Sequence, residues 1–421
     1  MAIEHSSRRA ASSFIFFTLA LDSMAMGMVA PVGPQLIQTI GGLDTATTAG
    51  LFGLFTSIFA LAQFLCAPAQ GLLSDRLGRR PIVLSSNLGL GIDFLIMAIA
   101  PSLAWLFVGR TVSGIFAGSA SAAYAYLVDV SPPEKRATNF SLAGAAAVLG
   151  MAAGPAVGGV LGTFNLRAPF WAAAGLCLIN FLYGLFVLPE SLPPERRGSL
   201  SWAKLNPIGA LWALIRDYPA LLRIGTAVAL LTVVGQTVSV IIVLYTTTRY
   251  RWTSADVGVL LMVFGLASTG VQVAGVPYLV RKSGEWATMV IGIGLQITGM
   301  ILIGMATTGL GCWLGFVVVV LGAVGGPAWQ ALMSRTVSQS DVGRLTGAMT
   351  SISAIACIVG PWLFANFFAA VLRGGGTYFP LGSPFYLCAA LTTAGLAIAA
   401  SSFRRPGAIH PAKVGGQQPA P

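Results

Sequence analysis

Long apolar stretches, separated by short polar or glycine- and proline-rich segments, dominate the chain from end to end. Twelve of them approach or exceed the roughly 20 apolar residues that one α-helical crossing of a bilayer requires. The predicted spans are residues 12–36, 46–70, 82–100, 103–127, 138–162, 168–188, 219–245, 255–278, 286–306, 309–333, 346–370 and 382–403. This pattern predicts an all-α membrane protein with twelve transmembrane helices.

Composition agrees with this map. Of the 421 residues, 56% are hydrophobic and only 9% are charged, whereas a soluble domain carries roughly 25% charged residues. Such a chain cannot cover a water-exposed surface. The same composition also excludes collagen-like, disordered and small disulfide-rich proteins. The first stretch follows Arg8 and Arg9 as a signal peptide would, but it is too long and contains Asp22, so it is predicted to be the first helix.

Basic residues fall unequally on the two sides of the predicted membrane. Eighteen lie in the tails and in the loops that follow even-numbered spans, and four (Arg167, Arg249, Arg251 and Arg373) lie on the other side. Because bacterial inner-membrane proteins concentrate Lys and Arg in cytoplasmic loops, both termini are predicted to be cytoplasmic. The same rule explains the net charge of +11 without a nucleic-acid partner.

The longest loop divides the chain into two bundles of six helices. The predicted divisions are residues 1–190 for the first bundle, 191–217 for a cytoplasmic central loop, 218–405 for the second bundle, and 406–421 for a cytoplasmic tail. Within the loop, residues 205–216 carry apolar positions at helical spacing, which predicts a helix on the membrane surface; an irregular linker is the alternative.

The two bundles also repeat weakly. Gly154-Pro155 recurs as Gly360-Pro361, and Gly78 recurs as Gly284, both with an offset of 206 residues. A shared offset indicates two pseudo-symmetric halves. In secondary transporters that are built from repeated halves, the substrate site lies at the interface of the halves, near the bilayer midplane.

The sharpest motif is residues 71–81, GLLSDRLGRRP, after the second span. It contains two glycines, one acid and three arginines: Gly71, Asp75, Arg76, Gly78, Arg79 and Arg80. The spacing predicts a tight two-glycine turn whose charge pairs form in one conformation and break in another. The alternative is a basic cluster that serves only topology.

This loop resembles the cytoplasmic signature of the major facilitator superfamily. More closely, the chain resembles the tetracycline–proton antiporters of the twelve-span drug efflux branch, through residues 21–27, 30–34, 109–114, 150–159, 326–334 and 343–347. The likeness covers nearly the whole chain except the tails and the central loop. It implies a proton-coupled exporter of a small molecule that works by alternating access.

Residues 150–159 form a second motif, with Gly150, Gly154, Pro155, Gly158 and Gly159. Glycines four residues apart let two helices approach closely in lipid, and a proline can bend the helix. The resemblance implies that this motif shapes the closure between the halves; generic close packing is the alternative.

Only two acids, Asp22 and Asp93, lie deep within predicted spans. An ionised carboxylate at mid-bilayer costs about 2.5–3.5 kcal/mol on insertion scales, which makes such a residue a functional hypothesis. Both positions match membrane-embedded acids of the tetracycline antiporters, and Arg110 matches their span-four arginine, so all three are predicted to couple protons. The alternative is a structural set in which Arg110 is the counter-ion.

Seven polar or aromatic side chains inside spans are substrate-binding candidates. They are Gln63, Gln236, Gln272, Gln296, Gln330, Tyr124 and Trp329. An amide within the membrane can equally join neighbouring helices. The tetracycline antiporters carry an acid where this chain has Gln296 and a histidine where it has Ser268. No acid lies deep within a predicted span of the second half.

The function predicted is export of small amphiphilic, drug- or antibiotic-like compounds by proton antiport. The second hypothesis is a metabolite or sugar-like carrier with weak or no proton coupling, which the sparse buried charge favours. An enzyme is not expected, because no nucleophile–base pair, metal-ligand cluster or phosphate loop is present and both histidines lie in the tails. No cofactor is expected, and one chain of twelve spans can form the pathway as a monomer.

Overall fold

The computed structural model describes residues 2–198, 219–334, 342–374 and 380–403. Within these ranges the ordered elements are helices and no strand is present. Ten helices are long and apolar enough to cross a membrane, and a pair bent by 46° near residue 30 forms a further candidate.

The helices are numbered here as spans. Span 1 is Ala2–Met28 with Gly33–Gly41, span 2 is Thr45–Leu77, span 3 is Arg79–Ile99, and span 4 is Leu103–Phe116 with Ser119–Val130. Span 5 is Pro133–Phe164, span 6 is Ala168–Val187, and span 7 is Pro219–Tyr250. Span 10 is Gly309–Leu321 with Gly325–Ser334, span 11 is Val342–Arg373, and span 12 is Ser383–Phe403.

Spans 8 and 9 share one helical stretch, Ser254–Met305, of 52 residues. A straight helix of that length would measure about 78 Å at 1.5 Å per residue, more than twice the roughly 30 Å of a bilayer core. Gly284 interrupts it with a non-helical φ of 79° and ψ of 168°. Residues 254–283 are therefore span 8 and residues 285–305 are span 9, and the all-α fold with twelve spans is confirmed.

The predicted repeat is visible in the backbone. Gly78, between spans 2 and 3, has a φ of 112° and a ψ of 165°, close to the values of Gly284 between spans 8 and 9. This combination is open to glycine and strained for other residues. The same unusual turn, 206 residues apart, marks equivalent positions in the two halves.

Polar caps fix where two helices begin. The Asp44 carboxylate accepts hydrogen bonds from the backbone N–H groups of Ala46 and Thr47, at 3.0 Å and 3.2 Å, and so caps span 2. Thr253 and Asp256 form a reciprocal capping box at the start of span 8. These bonds satisfy backbone donors that a helix start otherwise leaves unpaired.

The two halves meet mainly where span 2 packs against span 11 and where span 5 packs against span 8. We call the side with the Gly78 and Gly284 turns the Gly78 face, and the other side the Asp44 face. The Ser57 hydroxyl donates to the Ile358 carbonyl at 2.6 Å, and the Ser254 hydroxyl donates to the Gly159 carbonyl at 3.1 Å. Both bonds lie toward the Asp44 face, where the described parts of the two halves are therefore closed against each other.

One predicted segment is partly covered, and two lie outside the described residues. The central loop is described as far as residue 198, with a short 3-10 turn at Pro194–Arg196. The predicted surface helix at 205–216 and the tail at 406–421 lie outside the described residues, and the domain boundaries drawn from them stay predictions.

Candidate functional site

Asp22 lies on span 1 within a polar network that joins three helices. Its side chain is 7% exposed. In the orientation that gives hydrogen bonds to both the nitrogen and the oxygen of the Asn87 amide, the nitrogen donates to the two Asp22 oxygens at 3.1 Å and 3.2 Å. The Asn87 oxygen then accepts from the Asn180 amide nitrogen at 3.0 Å. Asn180 also donates to the Thr18 hydroxyl at 3.2 Å. Asp22 is thus held by hydrogen bonds from inside the first half.

Asn87 and Asn180 were not among the residues predicted for the site. Each is a single amide within an apolar span, which the sequence cannot distinguish from a helix–helix contact. Their position between Asp22 and Thr18 becomes apparent only when spans 1, 3 and 6 are packed together.

Asp93, on span 3, is fully buried, and neither carboxylate oxygen has a hydrogen-bond partner. Arg110, on span 4, is 4% exposed, and its Nε and Nη2 are likewise unpartnered. The Arg110 guanidinium lies 4.7 Å from the ring centre of Phe55 and 5.7 Å from that of Phe59. Arg110 lies near enough to Asp93 to interact with it electrostatically, yet no hydrogen bond joins the two side chains.

Gly109, the residue before Arg110, lets the Asp93 carboxyl group lie close to the backbone of span 4. A Cβ added at Gly109 would lie 2.8 Å from Asp93 Oδ1, closer than ordinary contact. Span 4 therefore has no side chain where the carboxyl group meets it. Asp22, Asp93 and Arg110 are the buried charged residues of the described chain, and all three belong to the first half.

The loop of residues 71–81 forms an ion network on the Gly78 face. Arg79 pairs with Asp75 at 2.6 Å and approaches Asp129 of span 4 at 3.4 Å, and it donates to the Ser74 hydroxyl at 3.0 Å. Arg80 donates to the Leu185 carbonyl of span 6 at 2.6 Å. The network ties spans 2, 3, 4 and 6 together within the first half.

Two residues of the motif lie outside that network. Gly71 lies inside the helix Thr45–Leu77 with nothing within 4 Å of an added Cβ, so the predicted two-glycine turn is wrong: helix continues through Gly71, and only Gly78 reverses the chain. Arg76 is exposed in the last turn of span 2.

Glu190, which the sequence did not single out, holds the turn from the other side. One of its oxygens accepts backbone N–H bonds from Arg79, Ser191 and Leu192 at 2.9, 2.9 and 3.0 Å. It also fills the space beside Gly78, where an added Cβ would meet Glu190 Oε2 at 2.2 Å. The segment that follows span 6 thereby caps the N-terminus of span 3.

The glycines of span 5 form a seam against the backbone of span 1. A Cβ added at Gly150, Gly154 or Gly158 would lie 2.0, 2.4 or 2.4 Å from the carbonyl oxygens of Ala20, Met24 and Met28 respectively. Both series advance by four residues, so the same face of each helix repeats the contact. We call these three pairs the glycine seam.

Gly159 and Pro155 also contact the other half. A Cβ added at Gly159 would lie 2.3 Å from the Ser254 carbonyl oxygen, and one added at Gly258 would lie 2.2 Å from the Pro155 carbonyl oxygen. The motif therefore joins span 5 to span 1 within the first half and to span 8 across the interface.

A cavity of about 620 Å³ lies in the second half, among spans 7, 9, 10 and 11. It brings together three of the predicted substrate residues, Gln296, Gln330 and Trp329. The Gln296 amide nitrogen donates to the Gly322 carbonyl at 3.2 Å, which leaves its oxygen for a ligand. Most lining residues lie in the parts of their helices nearer the Gly78 face.

The other four candidates are placed elsewhere. Gln236 donates to the Cys357 sulfur at 2.8 Å, between spans 7 and 11, and Tyr124 stacks on Phe140 with ring centres 5.5 Å apart. Gln63 and Gln272 are half-buried on spans 2 and 8. None of these four lines the cavity described above.

Comparisons with known proteins give consistent matches. A family model described as Major Facilitator Superfamily matches residues 15–361. The tetracycline resistance protein of class C from Escherichia coli is 36% identical over 378 residues, which is 89% of this chain and 93% of that protein. The class G protein from Vibrio anguillarum is 33% identical, over 90% of this chain and 96% of that protein.

Solved transporter structures share the fold. The human organic anion transporter MFSD10 (TETRAN) aligns over 93% of this chain and 99% of its own, with a TM-score of 0.67 and 24% identity. The nucleoside transporter NupG (D323A mutant) aligns over the same shares, with a TM-score of 0.76 and 14% identity.

Proposed function

Since the chain belongs to the major facilitator superfamily, we propose that this multi-pass membrane transporter exports small amphiphilic, drug-like compounds in exchange for protons. The chain is a transporter and not an enzyme. Its relatives at 36% and 33% identity are named tetracycline resistance proteins, which supports export of an antibiotic-like compound.

The proposed orientation places the Gly78 face in the cytoplasm of a bacterium, with both termini there. The eighteen-to-four distribution of basic residues supports this assignment. The contacts between spans 2 and 11 and between spans 5 and 8 then close the periplasmic side. In this conformation the cavity of the second half lies toward the cytoplasm, from which an exporter takes its substrate.

Asp93 is the observation that carries proton coupling. A buried carboxylate that accepts no hydrogen bond from the protein is far more costly than the neutral carboxylic acid, so we assign a proton to Asp93 in this conformation. Arg110 stays charged, and it lies beside Asp93 with two unpartnered donors. A small shift that joins them would stabilise the carboxylate and release the proton.

Asp22 is the second proposed proton site, in a different setting. Its contact with the Asn87 amide supplies a donor that Asp93 lacks. The two acids would therefore exchange protons at different stages of the cycle, as the halves close on one face and then on the other.

Transport in sealed vesicles tests this proposal. Asp93→Asn should abolish substrate accumulation driven by a pH gradient, while downhill exchange of substrate continues because it needs no net proton movement. Asp256→Asn is the matched control, because Asp256 caps span 8 at an exposed position. Full gradient-driven accumulation by both Asp22→Asn and Asp93→Asn would refute proton coupling through these acids.

One observation favours the second candidate, an uncoupled carrier of a neutral solute. The described part of the second half has no buried charged side chain. In that case the unmodified protein would equilibrate its substrate at the same rate with and without an imposed pH gradient, and would never concentrate it.

A further inference from the structure

The cavity in the second half has the size and construction of a small-molecule site. Its volume of about 620 Å³ falls within the roughly 300–1,000 Å³ that is usual for such sites. Four helices build it, so its walls are fixed by packing and not by a loop.

The described part of the cavity wall is neutral. Of the fourteen described residues that line it, none is acidic or basic. Hydrogen bonding comes from the two glutamines, Gln296 and Gln330, and from the hydroxyls of Thr232 and Ser353. An ionic group placed there would lose hydration without a compensating charge, whereas a neutral group with donors and acceptors would be matched.

The rest of the wall suits a flat ring. Trp329 offers an aromatic surface, and Met333 and Met349 offer soft, polarisable side chains. Gly235 and Gly326 also line the cavity, and a Cβ added at either has nothing within 4 Å. The wall beside them is bare backbone facing open space, so an extended ring system can lie close to it.

We infer that this cavity binds an uncharged, flat aromatic group that carries hydrogen-bonding substituents, and that it does so without a metal ion. The inference rests on the proposed function, because it names the substrate class of the same transporter. Recognition then lies in the second half, while the buried charges Asp22, Asp93 and Arg110 lie in the first.

Equilibrium binding to the purified full chain, with no gradient present, tests this inference. The probes are three uncharged aromatic amides (chloramphenicol, thiamphenicol and florfenicol), the cation ethidium, and tetracycline with MgCl₂, each titrated calorimetrically. The neutral amides should bind equally well with and without EDTA. Neither ethidium nor the magnesium–tetracycline complex should displace them.

Cavity-filling variants locate the binding. Gly326→Leu adds a side chain that occupies part of the cavity. It should therefore raise the Kd for the neutral amides by about tenfold or more. Gly175→Leu is the matched control, because Gly175 of span 6 also has nothing within 4 Å of its added Cβ but lies in the other half. If Gly326→Leu does not fold, Gln330→Leu, which removes one amide at an exposed position, should weaken binding in the same direction.

Three results would overturn the inference: no binding by any neutral amide, loss of their binding in EDTA, or unchanged affinity in the folded cavity variants. The proposed function fails separately. Binding of neutral amides that are never moved by a pH gradient in vesicles would refute antiport and leave the cavity assignment standing. Gradient-driven transport of ethidium without amide binding would do the reverse.

Discussion

Alanine substitution at two adjacent glycines of span 5 should affect two different equilibria. An alanine Cβ at Gly158 would lie 2.4 Å from the Met28 carbonyl oxygen of span 1, and one at Gly159 would lie 2.3 Å from the Ser254 carbonyl oxygen of span 8. Both obstacles are backbone atoms, which cannot rotate away as a side chain can. Gly144, on the same helix, has nothing within 4 Å and serves as the control.

The expected magnitude follows from two opposing effects. Overpacking a close contact costs about 1–3 kcal/mol, and alanine favours the helix over glycine by about 0.5–1 kcal/mol. The net penalty is then between about 0 and 2.5 kcal/mol, which corresponds to a change of up to roughly 60-fold in an equilibrium constant.

The two variants differ in which equilibrium carries that penalty. Span 1 and span 5 belong to the same half, so Gly158→Ala should lower the melting temperature without favouring one conformation. The contact of Gly159 crosses the interface and is relieved when spans 5 and 8 separate. Gly159→Ala should therefore increase the population that is open at the Asp44 face.

Spin labels across the interface measure this directly. With the five native cysteines replaced, labels introduced by Thr163→Cys and Val259→Cys report the separation of spans 5 and 8 by double electron–electron resonance. Gly159→Ala should raise the longer-distance population, Gly158→Ala should leave the distribution unchanged, and Gly144→Ala should do neither. A shift caused equally by Gly158→Ala, or none caused by Gly159→Ala, would show that the interface is not set by these backbone contacts.

Three further predictions concern polar contacts outside the bilayer core. Asp75→Asn, which removes the ion pair with Arg79, should slow transport while protein yield and substrate affinity hold; equal transport rates in vesicles would reduce the pair to a topological role. Glu190→Ala should lower hydrogen-exchange protection at residues 79–83 by about 1 kcal/mol, as loss of a helix cap does, whereas Glu190→Gln retains an accepting oxygen and should preserve most of it. Hydrogen bonds from Thr47 hold the pKa of Asp44 below its ordinary value of 3.8, so its cap is present above that value and is lost as pH falls through the lowered pKa. Exchange protection at Ala46 and Thr47 should therefore drop on acidification in the unmodified chain and stay flat in Asp44→Asn.

The spans were predictable because hydropathy reports how much of a helix lies in lipid. It does not report where the helix ends: span 2 was predicted at 46–70 and runs to Leu77, and span 5 was predicted at 138–162 and begins at Pro133. The additional turns carry polar and charged residues beyond the bilayer core, where helix formation continues without a hydropathy signal.

Much of the candidate site could be predicted from sequence, but its partners could not. Asp22, Asp93 and Arg110 were identifiable because charge is rare in apolar spans. That Asn87 contacts Asp22, and that Arg110 reaches Asp93 without bonding to it, depends on how spans 1, 3 and 4 are rotated about their axes. The glutamines illustrate the same limit, since an apolar helix with little polar asymmetry does not indicate which face each amide occupies.

The glycine seam limits how the first half can move. Its three contacts repeat every four residues along both helices, about 6 Å of axial rise, so any shorter slide takes all three glycines out of register with the carbonyl groups of span 1. Axial translation of span 5 along span 1 is therefore blocked, and the pair keeps its register through the cycle. Opening at one membrane face and closing at the other must then come from rotation of spans 1 and 5 together, as one rigid body, relative to span 8. A single rotation angle therefore describes how the first half moves.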